Sequence, residues 1–104
     1  MSGQIFTVIS THQARPGMEA ELKTALTSLV NPTRKEAGCI NYDLHVSLKY
    51  PGKFMLHETW TSKAHFESHL QNALIKVLLP HLNELCERFP DIEMWEQLRV
   101  PGEF

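Results

Sequence analysis

The chain has 104 residues, 42% of them hydrophobic and 21% charged, with a formal net charge of −2. That length suits one domain spanning residues 1–104, with a real core but little room for a large internal pocket. The segment "TRKEAG" holds only two adjacent cations, directly followed by Glu36, so the electrostatic footprint of a nucleic-acid binder is absent.

"QIFTVISTHQA" (Gln4–Ala14) is rich in β-branched residues and stands beside a Pro-Gly break, which predicts a strand. After the turn residues Arg15–Gly17, the apolar positions Met18, Leu22, Ala25, Leu26, Leu29 and Val30 recur at helical spacing. Pro32 is expected to kink or end that helix, and Gly38 to close the turn after it. "CINYDLHVSL" (Cys39–Leu48) alternates, with Ile40, Tyr42, Leu44, Val46 and Leu48 on one face and Asn41, Asp43, His45 and Ser47 on the other. A Pro-Gly turn then leads to a strand at Phe54–Trp60, giving an antiparallel hairpin. Thr61 or Ser62 can cap a short helix running to about Leu70. A second helix over Ala73–Arg88 would set Leu74, Val77, Leu78, Leu82 and Leu85 on one side, with a kink at Pro80. "PDIEMWEQLRV" (Pro90–Val100) returns to strand.

The order β–α–β–β–α–β, with the second helical region broken in two, is the α+β ferredoxin-like split βαβ pattern: an antiparallel four-stranded sheet covered on one face by helices. Some of Ile5, Ile9, Met55 and Trp95 should fall on the other face, which is too apolar to leave in water. A homodimer packed through the sheet face is the expectation. The longest apolar stretch, "ALIKVLLPHL", contains a lysine and a proline and is too short to cross a bilayer, so no membrane is expected. "MSGQIFTVIS" lacks the features of a signal peptide. Cys39 and Cys86 read as free thiols in a reducing, cytoplasmic setting.

Three segments carry a family resemblance: "RPGMEAEL", "TRKEAGCINYDL" and "PGKFMLHETWTSKAHFESHL". Together, in that order, they resemble the antibiotic biosynthesis monooxygenase (ABM) family, a dimeric α+β barrel, and in particular its quinol monooxygenase branch. The middle segment is similar to the family's Glu-x-Gly-Cys-x-x-Tyr stretch at Glu36, Gly38, Cys39 and Tyr42; the last matches its Phe, Glu-x-Trp and helical His at Phe54, Glu58, Trp60 and His69. The resemblance implies several activities: cofactor-free oxygenation of quinols and anthrones, haem degradation, isomerisation of small signalling molecules, or no established role. Ser10 stands where the haem-degrading branch is similar in carrying an Asn, which argues against haem. Ala73 and Leu74 occupy the place where relatives often carry Pro-His.

Phe66, His69 and Leu70 lie at i, i+3 and i+4, which puts His69 on or beside the apolar helix face. Its unperturbed pKa of ~6.5 suits a general base; a core His bonded to a backbone carbonyl is the plainer reading. Glu58 and Trp60 share one strand face, where Glu58 could orient His69 or titrate and Trp60 could wall an aromatic substrate. A surface salt bridge and core packing are their plainer readings. Tyr42 faces inward with its strand's apolar set, as core or as ligand contact. His65 and His69, at i and i+4, could share a metal, but neither HExxH nor a carboxylate–His cluster accompanies them, so no metal and a solvated His65 are expected. His57 falls on the opposite face, with the dimer contact, and Asn41, Asp43 and His45 are expected to join it there. Cys39 has no identifiable base beside it.

These readings point to a monooxygenase needing no cofactor and acting, with O₂, on a small quinol or phenol-like aromatic. The substrate supplies the electrons once deprotonated, and the protein supplies a dry pocket, a base and donors for the developing anion. His69 would be the base, Trp60 and Phe66 would shape the pocket, and Glu58, Tyr42 or Asn41 would orient the ring. Isomerisation of a small metabolite on the same scaffold, or a non-catalytic ligand-binding or stress-response barrel, are the alternatives.

Overall fold

Seven elements form in a computed structural model that describes residues 4–102. They are β1 (Phe6–Gln13), α1 (Glu19–Arg34), β2 (Cys39–Val46), β3 (Lys53–Trp60), α2 (Lys63–Leu70), α3 (Ala73–Leu85) and β4 (Asp91–Glu96). The strands make one antiparallel sheet in the order β2-β3-β1-β4. This is the ferredoxin-like α+β architecture, with α1 over β2 and against α3, and α2 over β3.

Alternation along β1 and β3 sets one face under the helices: Val8, Ser10 and His12, with Phe54, Leu56, Glu58 and Trp60, are all buried. Ile9 and Met55 lie on the other face, as does Trp95, which pairs with Thr7. In β2 strict alternation fails. A register shift between Cys39 and Asn41 makes Ile40 the extra residue of a bulge, so Ile40 is 51% exposed and Cys39 instead stands opposite Trp60. Beyond the bulge Tyr42 and Leu44 face the helices as the pattern requires, but the strand stops at Val46 and Leu48 projects fully into solvent.

Pro32 sits inside the last turn of α1, and the helix ends two residues later at Arg34. Ser62 caps α2, its Oγ accepting from His65 N at 3.3 Å. Pro80 lies within α3, which stops at Leu85, short of Arg88. Ile75, Leu82 and Leu85 supply its buried stripe, whereas Val77 is 72% exposed. The last strand is shorter than its sequence pattern, and all six of its residues are exposed, because no described helix covers it on either face.

The core divides in two. The larger cluster joins Leu22, Leu26 and Leu29 of α1 to Tyr42, Phe54, Leu56, Ile75, Leu82 and Leu85. The smaller gathers Val8, Trp60 and Phe66. Polar side chains lie buried on the same sheet face.

Candidate active site

The turn between α1 and β2 starts the site. Backbone bonds from Glu36 N to Thr33 O (3.0 Å) and from Cys39 N to Glu36 O (3.2 Å) wind the chain into a tight loop. Gly38 closes it at φ +82°, a conformation that strains residues bearing a Cβ, and a Cβ there would also collide with the His65 ring. Gly38 O accepts from Thr61 N at 2.8 Å, which ties this loop to the start of α2. The loop therefore delivers the Glu36 carboxylate to α2.

On α2 the two buried residues are Phe66 and His69, one turn apart. His69 is 3% exposed. Its Nδ1 lies 2.9 Å from Glu36 Oε1. A carboxylate only accepts, so the proton of this bond sits on Nδ1 and a neutral His69 keeps Nε2 as its basic nitrogen. No described residue hydrogen-bonds that Nε2. Asn72 fixes the other carboxylate oxygen, donating from Nδ2 to Glu36 Oε2 at 3.2 Å, while its Oδ1 caps α3 by accepting from Leu74 N at 2.8 Å. One asparagine thus anchors both a helix and the carboxylate behind His69.

Aromatic rings enclose the imidazole. Trp60 lies with its centroid 5.0 Å away at 35°, Tyr42 at 5.7 Å edge-on, and Phe66 at 6.3 Å. Trp60 is completely buried and donates Nε1–H to Glu58 Oε1 at 2.8 Å. Burial raises the Glu58 carboxyl to about 7; the Glu36 charge adds to that rise and the Trp60 bond opposes it. Glu58 is therefore poised to hold or release a proton near neutrality. Burial, with the Glu58 charge behind it, pushes the Tyr42 phenol well above its ordinary range, so Tyr42 stays protonated and can donate a hydrogen bond. Burial likewise raises the Cys39 thiol, the opposite of what a nucleophile needs.

Five of the six residues singled out from the sequence thus come together: His69, Glu58, Trp60, Tyr42 and Phe66. Asn41 does not join them. It pairs with Thr59 on the opposite sheet face, where its Nδ2 contacts Asp43 Oδ2 (3.0 Å), His57 Nδ1 (3.0 Å) and His57 O (3.1 Å). His65 is half-buried, contrary to the solvated position expected of it. Its Nδ1 lies 2.8 Å from Ser62 Oγ and 3.1 Å from Thr61 Oγ1. Among the described residues no three His, Cys, Asp or Glu side chains gather as a metal-binding group.

Glu36 carried no role in the sequence reading, and Asn72 was passed over altogether. Asn before a helical apolar run is an N-cap signal that locates Asn72. No local pattern announces that Glu36 will meet a histidine 33 residues later.

Comparison with known proteins agrees with this architecture. The family described as antibiotic biosynthesis monooxygenase matches residues 5–79. Rv0793 of Mycobacterium tuberculosis is 34% identical over 62 residues, 60% of this chain and 60% of that protein. Its solved structure superposes with a TM-score of 0.87 at 26% identity, covering 94% of this chain and 99% of that one. Protein SO0527 of Shewanella oneidensis gives a TM-score of 0.85 at 30% identity over 91% of this chain and 92% of its own. An uncharacterised Synechocystis protein, sll1783, is 25% identical over 80 residues, 77% of this chain and 50% of that one. The aligned stretch thus spans only half to three fifths of these two sequence relatives. Among the described residues no helix is long and apolar enough to cross a membrane.

Proposed function

The chain belongs to the antibiotic biosynthesis monooxygenase family, and we propose that it oxygenates a small quinol or phenol-like aromatic without a cofactor, with His69 as the base. One observation carries this reading: a buried imidazole held through Nδ1 by Glu36 and ringed by Trp60, Tyr42 and Phe66. Nε2 takes the phenolic proton, and Glu36 offsets the positive charge that forms. The resulting phenolate is electron-rich enough to reduce O₂; one oxygen atom bonds to a ring carbon, the other leaves as water, and the ring, which has supplied all four electrons, ends as a quinone. Trp60 and Phe66 would keep the ring dry, and the protonated Tyr42 hydroxyl and Glu58 carboxyl would supply hydrogen bonds to the developing anion. An oxygen electrode with a hydroquinone substrate tests this. His69→Ala should lower turnover by about 10²–10⁴-fold, the usual worth of a general base, and unchanged oxygen consumption would refute the assignment.

One feature favours a second reading. Glu58, raised to about 7, beside a histidine base is an acid–base pair that can move a proton between two carbons without O₂. An isomerase would turn over its substrate with no oxygen uptake, so the same electrode separates the two.

We further propose that two copies pair through the sheet face away from the helices. Trp95 there is 55% exposed, on the same face as Ile9 and Met55, and β4 has no cover on either side among the described residues. Sedimentation should give twice the chain mass, and Trp95→Glu should halve it; a monomeric parent would end the proposal.

A further inference from the structure

His65, in the first turn of α2, has no part in the chemistry proposed above, yet its ring is fixed on two sides. Its Nδ1 lies 2.8 Å from Ser62 Oγ and 3.1 Å from Thr61 Oγ1, so two hydroxyls bracket one ring nitrogen. Ser62 Oγ already accepts from the His65 backbone N–H at 3.3 Å, which leaves its own proton free to go to Nδ1. Rotation of the ring would break both hydroxyl contacts. The carbon side of the same residue covers Gly38: the three heavy atoms that a Cβ at Gly38 would meet first are Cβ, Cγ and Cδ2 of His65.

That contact bears on where the turn between α1 and β2 comes to rest. Gly38 O accepts from Thr61 N at 2.8 Å, and Cys39 N donates back to Glu36 O at 3.2 Å, so Glu36 and Gly38 belong to one short turn. From this turn the Glu36 carboxylate must reach His69 Nδ1 at 2.9 Å and Asn72 Nδ2 at 3.2 Å. Residues 61, 65, 69 and 72 are spaced by four, four and three, so they follow one side of α2 and the residues flanking it. All four touch the Glu36–Gly38 turn. Thr61 and Asn72 tether it from the two ends, and the His65 ring stands between those tethers and limits how closely it approaches α2. A charge-assisted hydrogen bond weakens steeply with distance and angle, so a displaced turn is felt at His69.

We propose that His65 is a positioning residue: its locked ring is the stop against which Gly38 seats, and so sets the reach of the Glu36 carboxylate to His69. This rests on reading His69 as the base. His65 acts through Gly38 and Glu36 and takes no proton from the substrate. Removing the ring leaves a gap into which the turn relaxes, whereas another flat ring of similar thickness holds the turn off.

Two readouts on the whole chain test the proposal: oxygen uptake with hydroquinone, and the His69 Nδ1–H resonance in protein carrying ¹⁵N-histidine. His65→Ala suits a helix and should keep the parent's far-UV spectrum. Its His69 Nδ1–H resonance should move, and kcat should fall by about 10–10²-fold with KM changed by less than about twofold, as for a base displaced by up to ~1 Å. His65→Phe puts a flat ring back over Gly38 and should restore both readouts. In a Glu36→Ala background His65→Ala should lower kcat no further, since its effect passes through that carboxylate. An unmoved His69 resonance in folded His65→Ala, a Phe variant as impaired as the Ala variant, or losses that multiply in the double variant would each overturn the proposal. A His65→Ala chain that does not fold would overturn it too, by making His65 part of the fold and not of the site. A resonance that moves in His65→Ala and returns in His65→Phe, with no oxygen uptake even in the parent, would uphold the positioning role and count against the monooxygenase reading alone.

Discussion

Two buried polar groups interrupt the same sheet face, and they are built in different ways. Around His69 the donors and acceptors are interlocked: Asn72 holds Glu36, Glu36 holds His69, and Trp60 holds Glu58. At the other end Ser10 and His12 hold only each other, and one ring nitrogen is left without a partner. A network of this kind fixes protonation states, whereas an isolated pair leaves an atom that something else must satisfy. The first group holds its imidazole through a chain of two further side chains, the second through a single hydroxyl.

The largest effect that sharpens this contrast lies in acid. His12 titrates at about 4 in the folded protein against its ordinary 6.5, so between those values the unfolded chain holds a proton that the folded chain lacks. The stability from a neutral His12 is therefore complete above pH 6.5 and is lost as pH falls toward 4, by about 3 kcal/mol in all. The double variant Ser10→Ala/His12→Phe replaces both partners with apolar groups, so urea unfolding between pH 7 and 4 should show that share of the acid loss gone. An acid limb equal to the parent's would mean that His12 is not buried in neutral form.

Glu58 has the opposite slope. Its carboxyl sits near 7 when folded against 4.5 ordinarily, so the folded chain holds the extra proton. Stability is full below about pH 4.5 and falls as pH rises through 7. Glu58→Gln keeps an oxygen for the Trp60 N–H and cannot ionise. It should stabilise the protein by about 3 kcal/mol at pH 8 and by almost nothing at pH 4.5. A gain that does not depend on pH would show that burial, and not charge, governs this position.

Much of the fold was legible because period-2 and helical spacing are local signals. The alternation in Phe54–Trp60 put Glu58 and Trp60 on one face, and Phe66–His69 put an imidazole over them. The bulge at Ile40 was not legible: it inserts one residue with neither Gly nor Pro to mark it, so strict alternation counted Ile40 as core. The exposure of Val77 was missed because helical spacing defines a stripe's width poorly at its edge. In β1 the usual cue runs against burial, since Ser10 and His12 point inward while Ile9 points away from the helices. Such a reversal becomes visible only once the helices are in place, and it falls at a site where packing alone would have chosen apolar residues.

The smallest effect asks whether the network around His69 acts as a unit. Asn72 has two separable jobs: its Oδ1 caps α3 and its Nδ2 holds Glu36. Asn72→Ala removes both and should cost about 1 kcal/mol, the usual worth of an N-cap. Asn72→Ser retains a capping oxygen but has no amide to reach the carboxylate, so it should recover most of that stability. If Glu36 orients His69 only while Asn72 pins its second oxygen, the Ser variant will regain the parent's urea midpoint and still turn over more slowly. Its kcat should fall with KM nearly unchanged, because the base would be misdirected while the binding surface stays intact. Recovery of turnover along with stability would mean that Glu36 holds His69 unaided, and that Asn72 belongs to the helix and not to the site.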